Sequence, residues 1–289
     1  MAVNADMLGK PTVKIKRGFD AGIIAIYIIL LIFIVVTLAP FLWMILTSFK
    51  SQIEAVSIPP SILPRTWRLD AYLSLPARLP FFRMYWNTII TSIVTVAGQL
   101  IFCSVAGYAF GRIKFPGRDV LFVMCLSILM IPASFFILPQ LIVIQNLKLT
   151  NTLTALYLPN LFSAFGTFLM RQFFMNLPKE LEDSAKIDGC NHGRIFLLIM
   201  LPLVKAGLIS LGILTLRFAW NNLMWPLIVN STPPMMPLTV GLSYLQGQYF
   251  NDFPAIMAGA VLAVIPLIAL FAIFQKQFIQ GIAFTGVKS

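Results

Sequence analysis

The sequence predicts an all-α, polytopic membrane protein with six transmembrane helices, and three observations carry that expectation. Mean hydropathy is +0.89 and only 11% of the 289 residues are charged, whereas soluble domains carry roughly 25% charged residues. The apolar residues gather into six runs, each long enough for the ~20 residues that cross a hydrocarbon core. The polar remainder leaves no room for a separate soluble catalytic domain, so any work done in water falls to the loops.

The first run, about 22 to 47, follows Lys10, Lys14, Lys16 and Arg17. A basic stretch before an apolar one resembles a secretory leader. At about 26 residues, however, the run exceeds the 7 to 15 of a leader's apolar region, and no A-x-A cleavage site follows, so a retained anchor is expected. Residues 1–21 then read as a cytoplasmic N-terminal segment and 22–289 as the transmembrane domain. The remaining runs are 87 to 110, 120 to 145, 151 to 170, 201 to 229 and 254 to 275. The fifth holds a charge at depth, Arg217.

Charge placement sets the expected orientation. The segments between runs two and three and between runs four and five hold Arg112, Lys114, Arg118, Arg171, Lys179, Lys186, Arg194 and Lys205, and Lys276 and Lys288 follow the sixth run. The alternate segments hold Lys50, Arg65, Arg68, Arg78, Arg83 and Lys148. Cationic residues favour the cytoplasmic side, which predicts that both termini and the segment from about 176 to 202 face the cytoplasm.

The net charge of +11 does not indicate nucleic acid, because the basic residues are scattered among apolar runs rather than gathered on one aromatic-studded face. Cys103, Cys125 and Cys190 lack CxxC spacing and read as packing residues. His192 is the single histidine, which argues against a histidine-built metal site. No run contains the Asp, Glu or His that an ion-coupled secondary transporter uses to carry its proton. The same absence argues against a membrane-embedded enzyme, which needs a nucleophile and base at depth.

The stretch EDSAKIDGCNHGRIFLLIMLP, 182 to 202, is polar and helix-patterned between apolar runs. Glu180, Glu182 and Asp183 follow Pro178 and suit the positive end of a helix dipole. Gly189 permits a sharp turn, and Arg194 to Met200 begins a second helix leading to Pro202. Ala185, Ile187 and Cys190 supply a small apolar surface for a partner.

Asp183-Ser184-Ala185, three residues, Gly189, nine residues, Ile199, one residue, Leu201-Pro202: this spacing resembles the EAA loop of the membrane subunits of binding-protein-dependent ABC importers. Asp183 stands where the family usually has Glu, and Ser184 where it has Ala. Further stretches resemble the sugar-importer branch, typified by the second permease of the maltose system. They are AGYAFGR (106–112), MIPASFFILPQ (130–140), AWNNLMWPLI (219–228) and the tail QKQFIQGIAFTGVKS (275–289).

The resemblance implies a type I importer permease fold in a bacterial inner membrane. It makes Glu182, Asp183, Ser184, Ala185, Asp188 and Gly189 parts of a coupling helix that docks in a cytoplasmic ATPase. It also implies a second, similar but different permease, two ATPase subunits that bind ATP and Mg, an extracytoplasmic solute-binding protein and a carbohydrate cargo. This chain is then a permease rather than an enzyme, with no cofactor of its own. The tail's GIAFTGVKS is not a phosphate loop, since Val287 intrudes between Gly286 and Lys288 and no helix can follow.

The pathway residues are read from the fifth run onward. A lone arginine at depth costs at least about 2.5 to 3.5 kcal/mol, so Arg217 either faces a wet cavity or a partner, or snorkels to the outer surface from its place roughly 22 Å along the helix from Pro202. In the first case it suits a carboxylate, and the cargo is an acidic oligosaccharide such as alginate fragments. Trp220, Trp225, Tyr244 and Tyr249 either stack on sugar rings or mark the membrane interface. Asn221 and Asn222 bond either cargo hydroxyls or neighbouring helices.

Overall fold

The computed structural model describes residues 21–246 and 251–286, without the side chains of residues 21, 274 and 276–286. The N-terminal segment 1–20, Tyr249 and the last three residues of the tail lie outside the described residues. The chain forms two packing units, one up to Met44 and one from Ile45 onward. Helix α1 (Ala21–Ser48) supplies the described part of the first. Its side chains from 23 to 42 are exposed all round, as expected of an apolar helix whose solvent is lipid.

The second unit begins with a loop organised by Glu54. Ser51 caps the short helix Gln52–Ala55. The Glu54 carboxylate accepts the Arg65 backbone N–H at 2.7 Å and the Ser61 hydroxyl at 3.0 Å. The Arg65 bond, followed by that of Ser61 and the charges of Lys50 and Arg65, outweighs desolvation and holds this carboxyl below its ordinary pKa. Helix α2 (Asp70–Arg78) follows, and its Arg78 pairs with Asp252 at 2.6 Å.

Helix α3 (Phe81–Arg112) is unbroken and long enough to cross a membrane. It starts at Phe81 rather than 87, because the largely aromatic FFRMYW stretch after Pro80 continues the same helix. The next three runs are bent. Helices α4 (Arg118–Met130) and α5 (Ala133–Asn146) meet at 101°, and α6 (Leu153–Asn160) and α7 (Ala164–Met175) at 45°. The helix α8 (Glu180–Ile187) intervenes, and then α9 (His192–Leu203) and α10 (Lys205–Trp220) meet at 78°. Counting each bent pair as one span gives the six that the sequence predicts.

Each bend has a local cause. Pro132 drives Ile131 into an extended conformation. Ser163 is extended, and its hydroxyl caps the Gly166 N–H. Pro202 removes a backbone donor, Val204 leaves the helical region at φ −93, ψ 23, and residues Ile195–Met200 wind as a π-helix, a form found mostly as single turns at functional sites. The fifth span is thus His192–Trp220 rather than 201 to 229: it begins ten residues before Pro202, and α11 (Met224–Val229) lies beyond a break at 221–223. Helices α12 (Leu238–Tyr244) and α13 (Phe253–Gly286) complete the unit.

The centre of this unit is a polar stripe on α3. Asn87, Thr88, Thr91, Ser92, Thr95, Gln99 and Ser104 are buried at helical spacing. Asn87 donates to the carbonyls of Pro234 and Met236, both at 2.9 Å, and Thr88 accepts the Leu238 N–H at 2.8 Å, which pins the start of α12. Gln99 is the hub. Its Nε2 donates to the Asn160 carbonyl, and its Oε1 accepts the hydroxyls of Ser163 and Thr215, each at 3.0 Å.

Buried polar groups in an apolar span need internal partners, and Gln99 supplies three of them. Gln99→Leu is expected to lower stability by about 2 kcal/mol, from two hydroxyls and a carbonyl losing partners worth ~0.6 to 1.7 kcal/mol each. Thermal unfolding of the detergent-purified protein reads this; an unchanged midpoint would refute the hub role.

Candidate functional site

Helix α8 has two faces of different character. Glu182 and Ala185 are buried against the bundle, while Leu181, Asp183, Ser184, Lys186, Ile187 and Asp188 are at the surface. Ile187 is 87% exposed between Lys186 and Asp188. Glu180, Glu182 and Asp183 occupy the first turn, where the dipole favours them. Asp183 and Lys186 pair at 3.6 Å on the surface, a contact worth little by itself.

The helix ends in a defined stop. Gly189 adopts φ +81, a left-handed conformation that glycine reaches without penalty. The Cys190 N–H bonds the Ala185 carbonyl at 2.9 Å, and the Gly189 N–H bonds that of Lys186 at 3.0 Å, the paired bonds of a Schellman cap. The Asn191 side chain then accepts the Arg194 N–H at 2.9 Å and opens α9. Residues 180–203 are thus a helix, a glycine turn and a second helix, held in one arrangement.

What anchors the inner face is partly apolar and partly ionic. Ala185 packs in one cluster with Tyr108, Met170, Phe174, Ile195 and Met200, and Cys190 packs against it. Beside them the Arg112 Nε donates to Glu182 Oε1 at 2.9 Å, with side chains only 4% and 8% exposed. The Arg112 Nη2 donates to the Pro178 carbonyl, also at 2.9 Å. Removing one member of such a buried pair leaves an uncompensated charge, at about 3 to 5 kcal/mol.

Further along α3, a cavity of about 20 Å3 is lined by Thr91, Thr95, Leu156, Asn160, Phe218, Ala219, Asn222, Pro226 and Pro237. It has room for a single water molecule. Arg217, one position before Phe218, is exposed and makes no ion pair among the described residues.

Two kinds of comparison bear on this architecture. The family described as "Binding-protein-dependent transport system inner membrane component" matches residues 103–284. The chain belongs to this family. The arabinooligosaccharides transport system permease protein AraQ of Halalkalibacterium halodurans is 38% identical to it over 86% of this chain and 90% of the relative. AraQ of Bacillus subtilis is 34% identical over 93% and 97%. A solved structure of a bacterial ABC transporter involved in the import of the acidic polysaccharide alginate covers 89% of this chain and 96% of its own. The TM-score is 0.79 at 23% identity, which shows the shared permease fold.

In this permease the predicted pathway residues do not converge. Asn222 lines the cavity. The Trp220 ring is buried, donates from Nε1 to the Ala263 carbonyl at 3.1 Å and meets Tyr85 edge-on. Trp225 is likewise buried, with its Nε1 bonded to the Ala155 carbonyl at 2.8 Å. Both indoles hold helices together. Asn221 turns back to cap the Arg217 carbonyl at 2.9 Å, and Tyr244 is half-exposed at the end of α12, apart from the cavity lining. Sequence reasoning missed Thr91, Thr95, Asn160 and Phe218. The signal for the first two was the polar i, i+4 repeat inside an apolar span.

Proposed function

We propose that this permease forms half of the translocation path of an ATP-driven oligosaccharide importer and meets a cytoplasmic ATPase through the outer face of α8. In this reading α8, its Gly189 turn and both termini lie on the cytoplasmic side, α9 leads from there into the fifth span, and the 50–86 segment faces an extracytoplasmic binding protein. A second, different permease completes the path. ATP and Mg belong to two ATPase subunits, with Asp183, Ser184, Ile187 and Asp188 of this chain forming the contact. Glu182, Ala185 and Gly189 then serve the same contact from behind, as anchor and stop.

The observation that carries the reading is the helix itself: anchored on one side, capped at its end, and presenting an uncovered isoleucine on the other. A lever needs a rigid base and a complementary tip to bias two states differently. A cysteine at Ile187 should crosslink to the ATPase subunit in the assembled importer, and in right-side-out vesicles it should resist an impermeant thiol reagent. Ready labelling from outside, or no crosslink at any short span, would remove the reading.

For cargo we infer an oligosaccharide, supported by the AraQ relatives, and an acidic one, supported by the exposed cation at Arg217. The fold neighbour's transport of alginate is compatible with this. Replacing Arg217 with leucine should lower uptake of alginate oligosaccharides about ten-fold, the equivalent of ~1.4 kcal/mol, while neutral arabino-oligosaccharide uptake stays constant. Equal losses for both would leave the acidic reading without support.

A further inference from the structure

We propose that Arg112 and Glu182 are a positioning pair that transmits movement of the coupling helix α8 to helix α3. This rests on the coupling reading above and adds a route for the motion. The covalent route out of α8 is poorly suited to carry force: it passes the Gly189 turn, a π-helical stretch at Ile195–Met200 and a 78° bend before α10. Helix α3 is unbroken from Phe81 to Arg112. It joins the coupling loop at one end to Thr95 and Thr91 of the cavity, roughly 26 Å away for Thr95 at 1.5 Å per residue.

Among the described residues, the directional bonds between α3 and the α8 segment are those of Arg112. Apolar contacts around Ala185 and Cys190 resist separation but not sliding. One planar guanidinium bonded both to Glu182 within α8 and to the Pro178 carbonyl just before it fixes angle as well as distance. Buried ion pairs add little net stability over apolar packing, and their best-attested role is to hold one register. Here the register held is that of the lever on the helix it moves.

The test uses the assembled importer in proteoliposomes, with a reporter cysteine at Asn222 and the native cysteines changed to alanine. Trapping nucleotide with vanadate should change labelling of the reporter by an impermeant thiol reagent about five-fold or more. With Arg112→Met, nucleotide trapping per assembled complex should persist while the labelling change disappears. Arg112→Lys, which keeps the charge but not the second bond, should restore part of it. Should Arg112→Met fail to assemble, Arg112→Gln, which keeps a donor for the Pro178 carbonyl but removes the ion pair, carries the same criterion.

A full labelling change in Arg112→Met overturns the proposal. So does a parallel fall of trapping and labelling with the amount of complex in both variants, since the pair is then merely structural. An unresponsive reporter with Arg112 intact removes the coupling reading and this inference with it. Loss of the inference alone leaves the Ile187 crosslink in place.

Discussion

A leucine at Gly107 is expected to prevent the permease from accumulating as a folded protein. Gly107 sits where α3 crosses α7. A Cβ there would lie 2.7 Å from the Met170 Cβ, 2.8 Å from the Arg171 backbone N and 3.0 Å from the Met170 carbonyl carbon. Two of these three atoms are backbone, so no rotamer change relieves the contact and the helices must part. Overpacking typically costs about 1 to 3 kcal/mol, occasionally more, and the upper end applies where a whole seam opens. Small residues occupy such seams because membrane helices associate by close packing, without the drive of water exclusion.

The same opening would move Met170 and Phe174, which share a cluster with Tyr108 and the inner face of α8. The damage therefore reaches the coupling loop as well as the bundle. Gly193→Ala is the matched control, because a Cβ there meets only the Asn191 Oδ1, at 3.6 Å. Membrane yield and thermal midpoint in detergent decide the matter. Gly107→Leu at control levels of both would mean that the seam is softer than its geometry implies.

What the sequence made legible follows from which forces are local. Hydrophobic runs report the lipid directly, so the number of spans was readable, although the fifth, His192–Trp220, begins earlier and ends sooner than its run at 201 to 229. The glycine stop of α8 was readable because only backbone conformation determines it. The bends were only partly so. Pro132 and Pro202 mark two of them, but the π-helical winding of Ile195–Met200 leaves no compositional trace. Side-chain direction was the least accessible. Glu182 and Asp183 are adjacent acids of like chemistry, and which one turns inward depends on Arg112, seventy positions earlier in the chain.

The role of the aromatic residues stayed open in the sequence for a related reason. Trp220 and Trp225 have the composition of a sugar platform, yet each indole N–H found a backbone carbonyl on another helix. A buried indole in an apolar span seeks such an acceptor wherever one is in reach. The unread signal for the cavity was the polar stripe on α3, where Thr91 and Thr95 repeat at helical spacing inside an apolar run.

The second large effect is expected at Ile187, where glutamate should release the ATPase. The wild-type side chain is 87% exposed in the permease alone, so nearly its whole apolar surface is available to a partner. Burying an isoleucine contributes about 1.5 to 3 kcal/mol. Glutamate forfeits that and adds a carboxylate that must be desolvated, beside Asp183 and Asp188, which are also exposed. The like charges raise the cost further, so the combined loss is about 4 kcal/mol or more, a thousand-fold in affinity. Ile187→Val, which keeps the branch and most of the surface, should lose less than about 1 kcal/mol. Because so little of the side chain is buried in the bundle, the glutamate variant should insert and unfold as the parent does. Co-purification of the ATPase with tagged permease separates the two expectations: a glutamate variant that retains the ATPase at the valine variant's level would take the outer face of α8 out of the contact altogether.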